Sequence, residues 1–168
     1  MTKREIIMQI RASKSSHVRW KSYVQIALRG IVTDKTQASL PIVQTECEFG
    51  QWYYGDGMFL SLLPNFQALE EPHEMLHEMY IQIYTLQKAK LQGGFFTSKR
   101  RMLKMRKDEI SKLIANLNDY SRIILETIRQ LEVEVLQMTN DEIREMYEME
   151  TLPPLGEGSD SSLFREIE

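Results

Sequence analysis

This sequence of 168 residues is poor in cysteine and in long apolar runs, and each scarcity excludes a class of protein. Its single cysteine, Cys47, cannot form a disulfide within the chain, so a disulfide-stabilised domain is excluded. No apolar run approaches the ~20 residues of a membrane-spanning helix. Residues 1–17 lack the apolar core and the cleavage site of a signal peptide. We therefore expect a cytoplasmic protein whose thiol stays reduced.

An excess of positive charge is also lacking. The formal net charge is −3, from 21 basic and 24 acidic side chains, so no global basic field indicates nucleic-acid or lipid binding. The one dense basic block, residues 99–107 (KRRMLKMRK), is interpreted as a solvated first turn of a helix near an acidic neighbour, with nucleic-acid binding as the alternative. We expect neither nucleic acid nor a membrane as a partner.

Strand-like alternation is absent from the sequence, and apolar residues instead recur at helical spacing. This pattern predicts an all-α fold, a four-helix-type bundle with a long C-terminal helix or coiled-coil arm. Breakers and charged residues set the expected helix ends, and Pro41 is expected to lie at the entry of the second helix. The helices are predicted over residues 3–31, 37–52, 70–91 and 98–149.

The region 98–149 contains almost no helix breaker. Its apolar residues step by three and four positions from Ile110 to Met138, with one departure from a strict heptad between Tyr120 and Ile128. Such a stripe belongs either to the last helix of a bundle or to a coiled-coil arm, and we expect it to contribute to a homodimer interface. It comprises Ile110, Leu113, Leu117, Tyr120, Ile124, Ile128, Leu131, Val135 and Met138.

Two histidines lie one helical turn apart in the run PHEMLHE. His73 and His77 would project from the same helix face and could reach one metal ion. Residues 73–77 also spell the HExxH pattern of zinc proteases, in which Glu74 would be the general base. Such an enzyme needs a third ligand downstream and an edge strand for its substrate, but no histidine follows His77 and no strand pattern precedes Pro72. We therefore predict that the chain is not an enzyme, with a zinc metallopeptidase as the alternative.

The sequence offers two further metal ligands of the nitrogen and sulfur type, His17 and Cys47. Together with His73 and His77 they form a complete tetrahedral set of three imidazoles and one thiolate, which suits zinc. Ligand counting alone leaves two interpretations open. The four residues form one zinc site, or their number is a coincidence in which Cys47 is a small buried apolar residue and His17 lies on the surface.

Three sequence elements surround these candidate ligands. His17 is followed three residues later by Trp20, residues 47–52 read CEFGQW, and His73 with His77 forms the last element. In this order they resemble the chemoreceptor zinc-binding domain family of bacteria. The hallmark of that family is an early histidine, then Cys-x-[Leu/Phe]-Gly-x-Trp, then a His-x-x-x-His pair, and the middle element fits at every specified position.

The resemblance covers about residues 10–90 and implies one Zn²⁺ per chain, held by His17, Cys47, His73 and His77. Members of the family are cytoplasmic helical bundles, often homodimeric. They regulate attached chemoreceptor modules or diguanylate cyclases in response to zinc or to oxidants such as hypochlorous acid. Three further residues are expected to pack around the site and keep it dry, with the glycine allowing close backbone approach: Trp20, Gly50 and Trp52.

The chain departs from the family pattern because it has neither a GGDEF-type cyclase signature nor a long receptor signalling hairpin. We therefore expect a stand-alone sensor that responds to zinc or to oxidation of Cys47 and signals through a partner of a chemotaxis or cyclic-di-GMP system. A structural or zinc-buffering protein is the other alternative. The predicted organisation is a zinc-binding bundle core (1–95), a long helix that completes the bundle or forms a dimerisation arm (96–150), and a disordered tail (151–168).

Overall fold

The computed structural model describes residues 1–29, 40–90 and 98–151, with side chains up to residue 149. Within these ranges every regular element is helical, so the predicted all-α fold class is confirmed. No helix in the described part of the chain has the length and apolar character needed to cross a bilayer. The helices are α1 (Lys3–Leu28), α2 (Glu48–Tyr53), α3 (Pro64–Gln67), α4 (Glu70–Lys88), α5 (Lys99–Gln137) and α6 (Asn140–Thr151), with a 3₁₀ turn at Met58–Leu60 between α2 and α3.

Helix α5 is the element on which the others assemble, because it packs along α4, α1 and α3. Its buried face runs from Leu117 to Val135, and these side chains contribute to the single apolar core of the described residues. Over this range the apolar stripe is covered by the chain itself. The stripe passes through Ser121, which is fully buried, rather than through Tyr120, which is half-buried.

The long helix predicted over residues 98–149 is interrupted. Helix α5 ends at Gln137, and α6 begins at Asn140 after a capping box. In this box the Thr139 hydroxyl accepts from the Glu142 N–H at 3.2 Å, and the Glu142 carboxylate accepts from the Thr139 N–H at 2.6 Å. The prediction of one continuous helix was therefore wrong at this point. Helix α6 packs on the 3₁₀ turn, where the rings of Phe59 and Tyr147 lie 6.1 Å apart.

The helix predicted over residues 37–52 is also shorter than expected. Residues 40–46 form turns, and α2 begins only after Cys47, so the entry through Pro41 was wrong. The reason is local: Cys47 has an extended backbone, and its sulfur accepts the Gly50 N–H, which makes it the N-cap of α2. By contrast, the predicted start of α4 at Glu70 is confirmed. Residues 30–39, 91–97 and the predicted tail beyond residue 151 lie outside the described residues, and the division into regions stays a prediction.

Candidate metal centre

Three of the four predicted ligands lie together in the bundle interior. Cys47 stands at the start of α2, whereas His73 and His77 occupy successive turns of α4. One ligand atom from each residue lies within 4.8 Å of the other two, and all three side chains are buried. A tetrahedral zinc ion holds its nitrogen and sulfur ligands about 3.3–3.6 Å from one another. Small side-chain adjustments would therefore bring these three atoms onto one ion.

The Cys47 sulfur is held in place by the backbone around it. It accepts the Gly50 N–H at 3.2 Å and lies 3.3 Å from the Gln44 carbonyl oxygen. Its distance to the His73 Nε2 atom is 3.3 Å, which matches the spacing of two ligands on one zinc ion. The sulfur thus faces the histidine pair, and its position is fixed by the N-terminal turn of α2.

The histidine pair leaves buried ring nitrogens without a hydrogen-bond partner. The His77 Nδ1 atom lies 2.9 Å from the Ile42 carbonyl oxygen, so Nδ1 carries the proton and Nε2 keeps its lone pair. Within the described residues, His77 Nε2 and His73 Nδ1 have no partner. Buried polar atoms normally have one, because desolvation without a bond is costly. The donor set and the orphaned Nε2 atom of His77 fit a zinc ion.

Burial keeps the histidines in the state that binds metal. Burial is the main cause that lowers the pKa of His17 to about 4 and of His73 to about 3. The charge of Lys21 and the His77 ring add to the shift of the His17 pKa, and the other two imidazoles add to that of His73. Burial also lowers the pKa of His77 to about 4, against the opposing effect of the Ile42 carbonyl. All three rings are therefore neutral at pH 7, as metal ligands must be. Burial raises the pKa of Cys47, and the backbone N–H groups of Gly50 and Phe49 oppose that shift.

The fourth predicted ligand, His17, is buried on α1 but does not join the group of three. Its Nε2 atom lies 3.0 Å from the Ser121 hydroxyl of α5. Its ring lies 6.0 Å from the Phe49 ring, which in turn lies 4.6 Å from the ring of His73. The interpretation of His17 as a surface residue is therefore wrong. Its role as a zinc ligand stays a prediction.

The comparison with protein-family models identifies the segment that contains these residues. Residues 17–84 match the chemoreceptor zinc-binding domain family. The family resemblance predicted from the sequence is thereby confirmed for this segment, which is about two fifths of the chain and contains all four predicted ligands. No curated protein and no solved structure matches the chain significantly. The chain thus contains a region similar to a zinc-binding domain, with a buried Cys/His/His cluster inside it.

Aromatic rings of the matched segment contact the cluster. The Trp20 ring lies 4.4 Å from the ring of His77, and its Nε1 atom donates to the Pro41 carbonyl at 3.3 Å. Trp52 lies 5.8 Å from the Phe49 ring, which lies 4.6 Å from the ring of His73. Neither indole offers a lone pair to a metal, so Trp20 packs directly against the cluster and Trp52 packs against it through Phe49.

Gly50 permits a close approach of two backbone segments. A Cβ atom at this position would lie 1.7 Å from the Gln44 carbonyl oxygen, a distance that no side chain can adopt. The same glycine donates its N–H to Cys47. Any larger residue would therefore displace the turn that positions the sulfur.

Glu74, the general base of the peptidase alternative, lies on the exposed face of α4. It lies near Tyr54, whose pKa is raised chiefly by burial, with the charge of Glu74 among the smaller causes. The histidines on either side of Glu74 project into the core instead. This arrangement separates the carboxylate from the cluster.

Two partners of the candidate ligands were missed by sequence reasoning. The Ile42 carbonyl gave no signal, because any residue supplies a backbone oxygen. Ser121 gave a weak one, since a polar residue stands four positions after Leu117 and three before Ile124, where an apolar stripe would continue.

Proposed function

We propose that this chain is a zinc-responsive regulatory protein in which His17, Cys47, His73 and His77 bind one Zn²⁺. One observation carries the proposal. A buried Cys/His/His cluster with unpartnered ring nitrogens lies within a segment that matches a zinc-binding domain family. His17 is the fourth ligand in this proposal, because it is buried and neutral, and its electrostatic interaction with His77 contributes to its lowered pKa.

The proposed site regulates rather than catalyses. Zinc bound by four protein ligands has no open position for a substrate or an activated water. Its binding instead stabilises the folded chain, so the conformation of the chain depends on the metal. The exposed position of Glu74 supports this proposal, because a general base must lie within hydrogen-bond reach of the reacting water.

Cys47 is the proposed point of entry for oxidants. As a thiolate it would react with hypochlorous acid, which transfers its oxygen to sulfur to give the sulfenic acid and releases chloride. The loss of the only anionic ligand would lower the affinity for zinc. Because Cys47 is only 2% exposed, its oxidation requires a local rearrangement of the packing around the sulfur.

The output of the proposed sensor is a protein partner in a cytoplasmic chemotaxis or cyclic-di-GMP system. We retain the homodimer as part of the proposal. The stripe from Leu117 to Val135 is covered within the chain, so the contact between two copies would use other faces. Light scattering with and without zinc measures the mass of the assembly directly.

Metal analysis of the purified protein tests the proposed function. We expect close to one zinc per chain. Chelator competition should show that Cys47→Ala and His17→Ala each lose zinc affinity. The loss should exceed the roughly 10–100-fold that is typical when a residue that hydrogen-bonds to a ligand is removed. Glu74→Ala is the matched control on the exposed face between the two α4 histidines, and it should bind zinc as the wild type does. Full affinity in either ligand variant would contradict the four-ligand site. Casein cleavage that Glu74→Gln abolishes would support the metallopeptidase instead.

A further inference from the structure

The contact between His17 and Ser121 joins the proposed zinc site to the long helix. The two residues lie on α1 and α5, 104 positions apart in the sequence, and both are buried. Their side chains meet at 3.0 Å between Nε2 and Oγ. A second polar contact between the same helices lies one turn away on α5, where the Gln25 amide nitrogen is 3.3 Å from the Asn118 oxygen.

The direction of the His17–Ser121 hydrogen bond follows from the partners of the hydroxyl. Elsewhere on α5, Ser111 and Thr127 donate to the carbonyl oxygen four residues earlier, each at 2.9 Å. Ser121 has no such bond, and within the described residues the His17 ring is its one hydrogen-bond partner. A buried hydroxyl proton needs an acceptor, so Ser121 donates to Nε2 of His17. The other ring nitrogen of His17 then carries the proton.

This hydrogen bond and a metal bond exclude each other. In this tautomer His17 has one lone pair available in the ring plane, on Nε2, and Ser121 occupies it. A zinc ion needs a ring nitrogen with a free lone pair. For His17 to reach the cluster of Cys47, His73 and His77, it must therefore give up its bond to α5.

We propose that Ser121 is a positioning residue that holds His17 away from the three-ligand cluster, so that zinc and α5 compete for the same histidine. This inference rests on the proposed function, in which His17 is the fourth ligand. Two arrangements follow, one with His17 bonded to Ser121 and one with His17 bonded to zinc. Since zinc favours only the second, its binding releases a polar link between α1 and α5 and can bias the position of the long helix.

The zinc affinity of Ser121→Ala tests the competition. Removal of the hydroxyl should raise the affinity roughly tenfold, the factor that corresponds to one neutral hydrogen bond. Ser111→Ala is the matched control, because it removes an exposed hydroxyl from the same helix, and it should leave the affinity unchanged. In a His17→Ala background, Ser121→Ala should have no effect. Chelator competition measures the affinity of the wild type, the three single variants and the double variant.

Unchanged or weaker zinc binding by Ser121→Ala would overturn the inference, and weaker binding would mean that Ser121 orients His17 on the metal.

A measurement on the wild type does not depend on the folding of any variant. Nitrogen NMR of the chelator-treated protein should show His17 protonated at Nδ1, and added zinc should move the Nε2 resonance. An Nε2-protonated ring would also overturn the proposal. If the wild type binds no zinc, or if His17→Ala keeps full affinity, the proposed function fails instead.

Discussion

Along its length, α1 meets two different environments on α5. Between Lys3 and Arg11 it lies beside the last turns of α5, where Lys3 donates to the Leu136 carbonyl at 3.4 Å and Arg11 pairs with Glu132 at 2.6 Å. We call this end the apolar half, because the side chains that form its core are apolar. They include Ile6, Ile7, Ile10, Leu131, Val135, Ile143 and Met146.

The other end, which we call the polar half, buries groups that need partners. It contains His17, His73, His77, Cys47 and Ser121. Burial of apolar side chains stabilises the fold at any pH, whereas burial of polar groups costs free energy unless each is bonded. The comparison indicates that one half maintains the fold and the other makes its stability depend on pH and, in the proposed function, on zinc.

Acid gives the largest expected effect, and it should act through the polar half. The pKa values of His17 and His77 are lowered from 6.5 to about 4 and that of His73 to about 3, chiefly by burial. Below pH 6.5 the unfolded chain therefore binds protons that the folded chain does not. Stability should fall as the pH decreases from about 6.5 to about 4, by up to about 1.4 kcal/mol per pH unit for each histidine.

Urea denaturation of the chelator-treated protein between pH 7 and pH 5 measures this slope. The variant His77→Gln removes one titrating group and should reduce the slope by about a third, since three histidines contribute. A free energy of unfolding that stays constant over this range would contradict the burial of the three rings.

A core truncation in the apolar half should be the next largest effect. Leu131 is fully buried, and Leu131→Ala should cost about 2–5 kcal/mol. Leu131 lies ten residues, or about 15 Å along the helix, from Ser121, so the cost should be the same with and without zinc. Leu136→Ala is the control, because this side chain is 52% exposed on the same helix and its loss should cost little. A zinc-dependent cost for Leu131→Ala would show that the two halves are coupled.

A smaller effect is expected from Gly50→Ala, which should perturb the polar half alone. The added Cβ clashes with the Gln44 carbonyl and should cost about 1–3 kcal/mol, as overpacking does. Because the Gly50 N–H bonds the Cys47 sulfur, zinc affinity should fall as well. The exposed Gln51→Ala on the same helix serves as the control. Wild-type zinc affinity in Gly50→Ala, measured by chelator competition, would show that this turn does not position the sulfur.

The features that were predictable from the sequence are those that neighbouring residues encode. The all-α fold follows from helical spacing, and the start of α4 follows from Pro72 and the glutamates in its first turn. The juxtaposition of Cys47 with the histidine pair followed from the family resemblance, because spacing alone left coincidence open. The capping box formed by Thr139 and Glu142 could be recognised from the sequence, but the helical spacing on both sides of it led to the prediction of one continuous helix.

The features that were missed leave no periodic signature in the sequence. Ser121 lies 104 positions from His17, and this contact exists only once the helices have packed. The turns at residues 40–46 have a local cause, the cap that Cys47 forms and the approach of Gln44 to Gly50, which hydrophobic spacing does not encode.

The contact between the rings of Trp20 and His77 has a consequence for the fluorescence of the protein. The two rings lie 4.4 Å apart with an interplanar angle of 35°, so the indole lies against a group whose charge changes with a proton or a metal ion. The other tryptophan of the chain, Trp52, lies 5.8 Å from the ring of Phe49, which in turn lies 4.6 Å from the ring of His73. Part of the intrinsic tryptophan fluorescence therefore comes from an indole that contacts the candidate metal centre, and Trp20 serves as an optical reporter of the polar half.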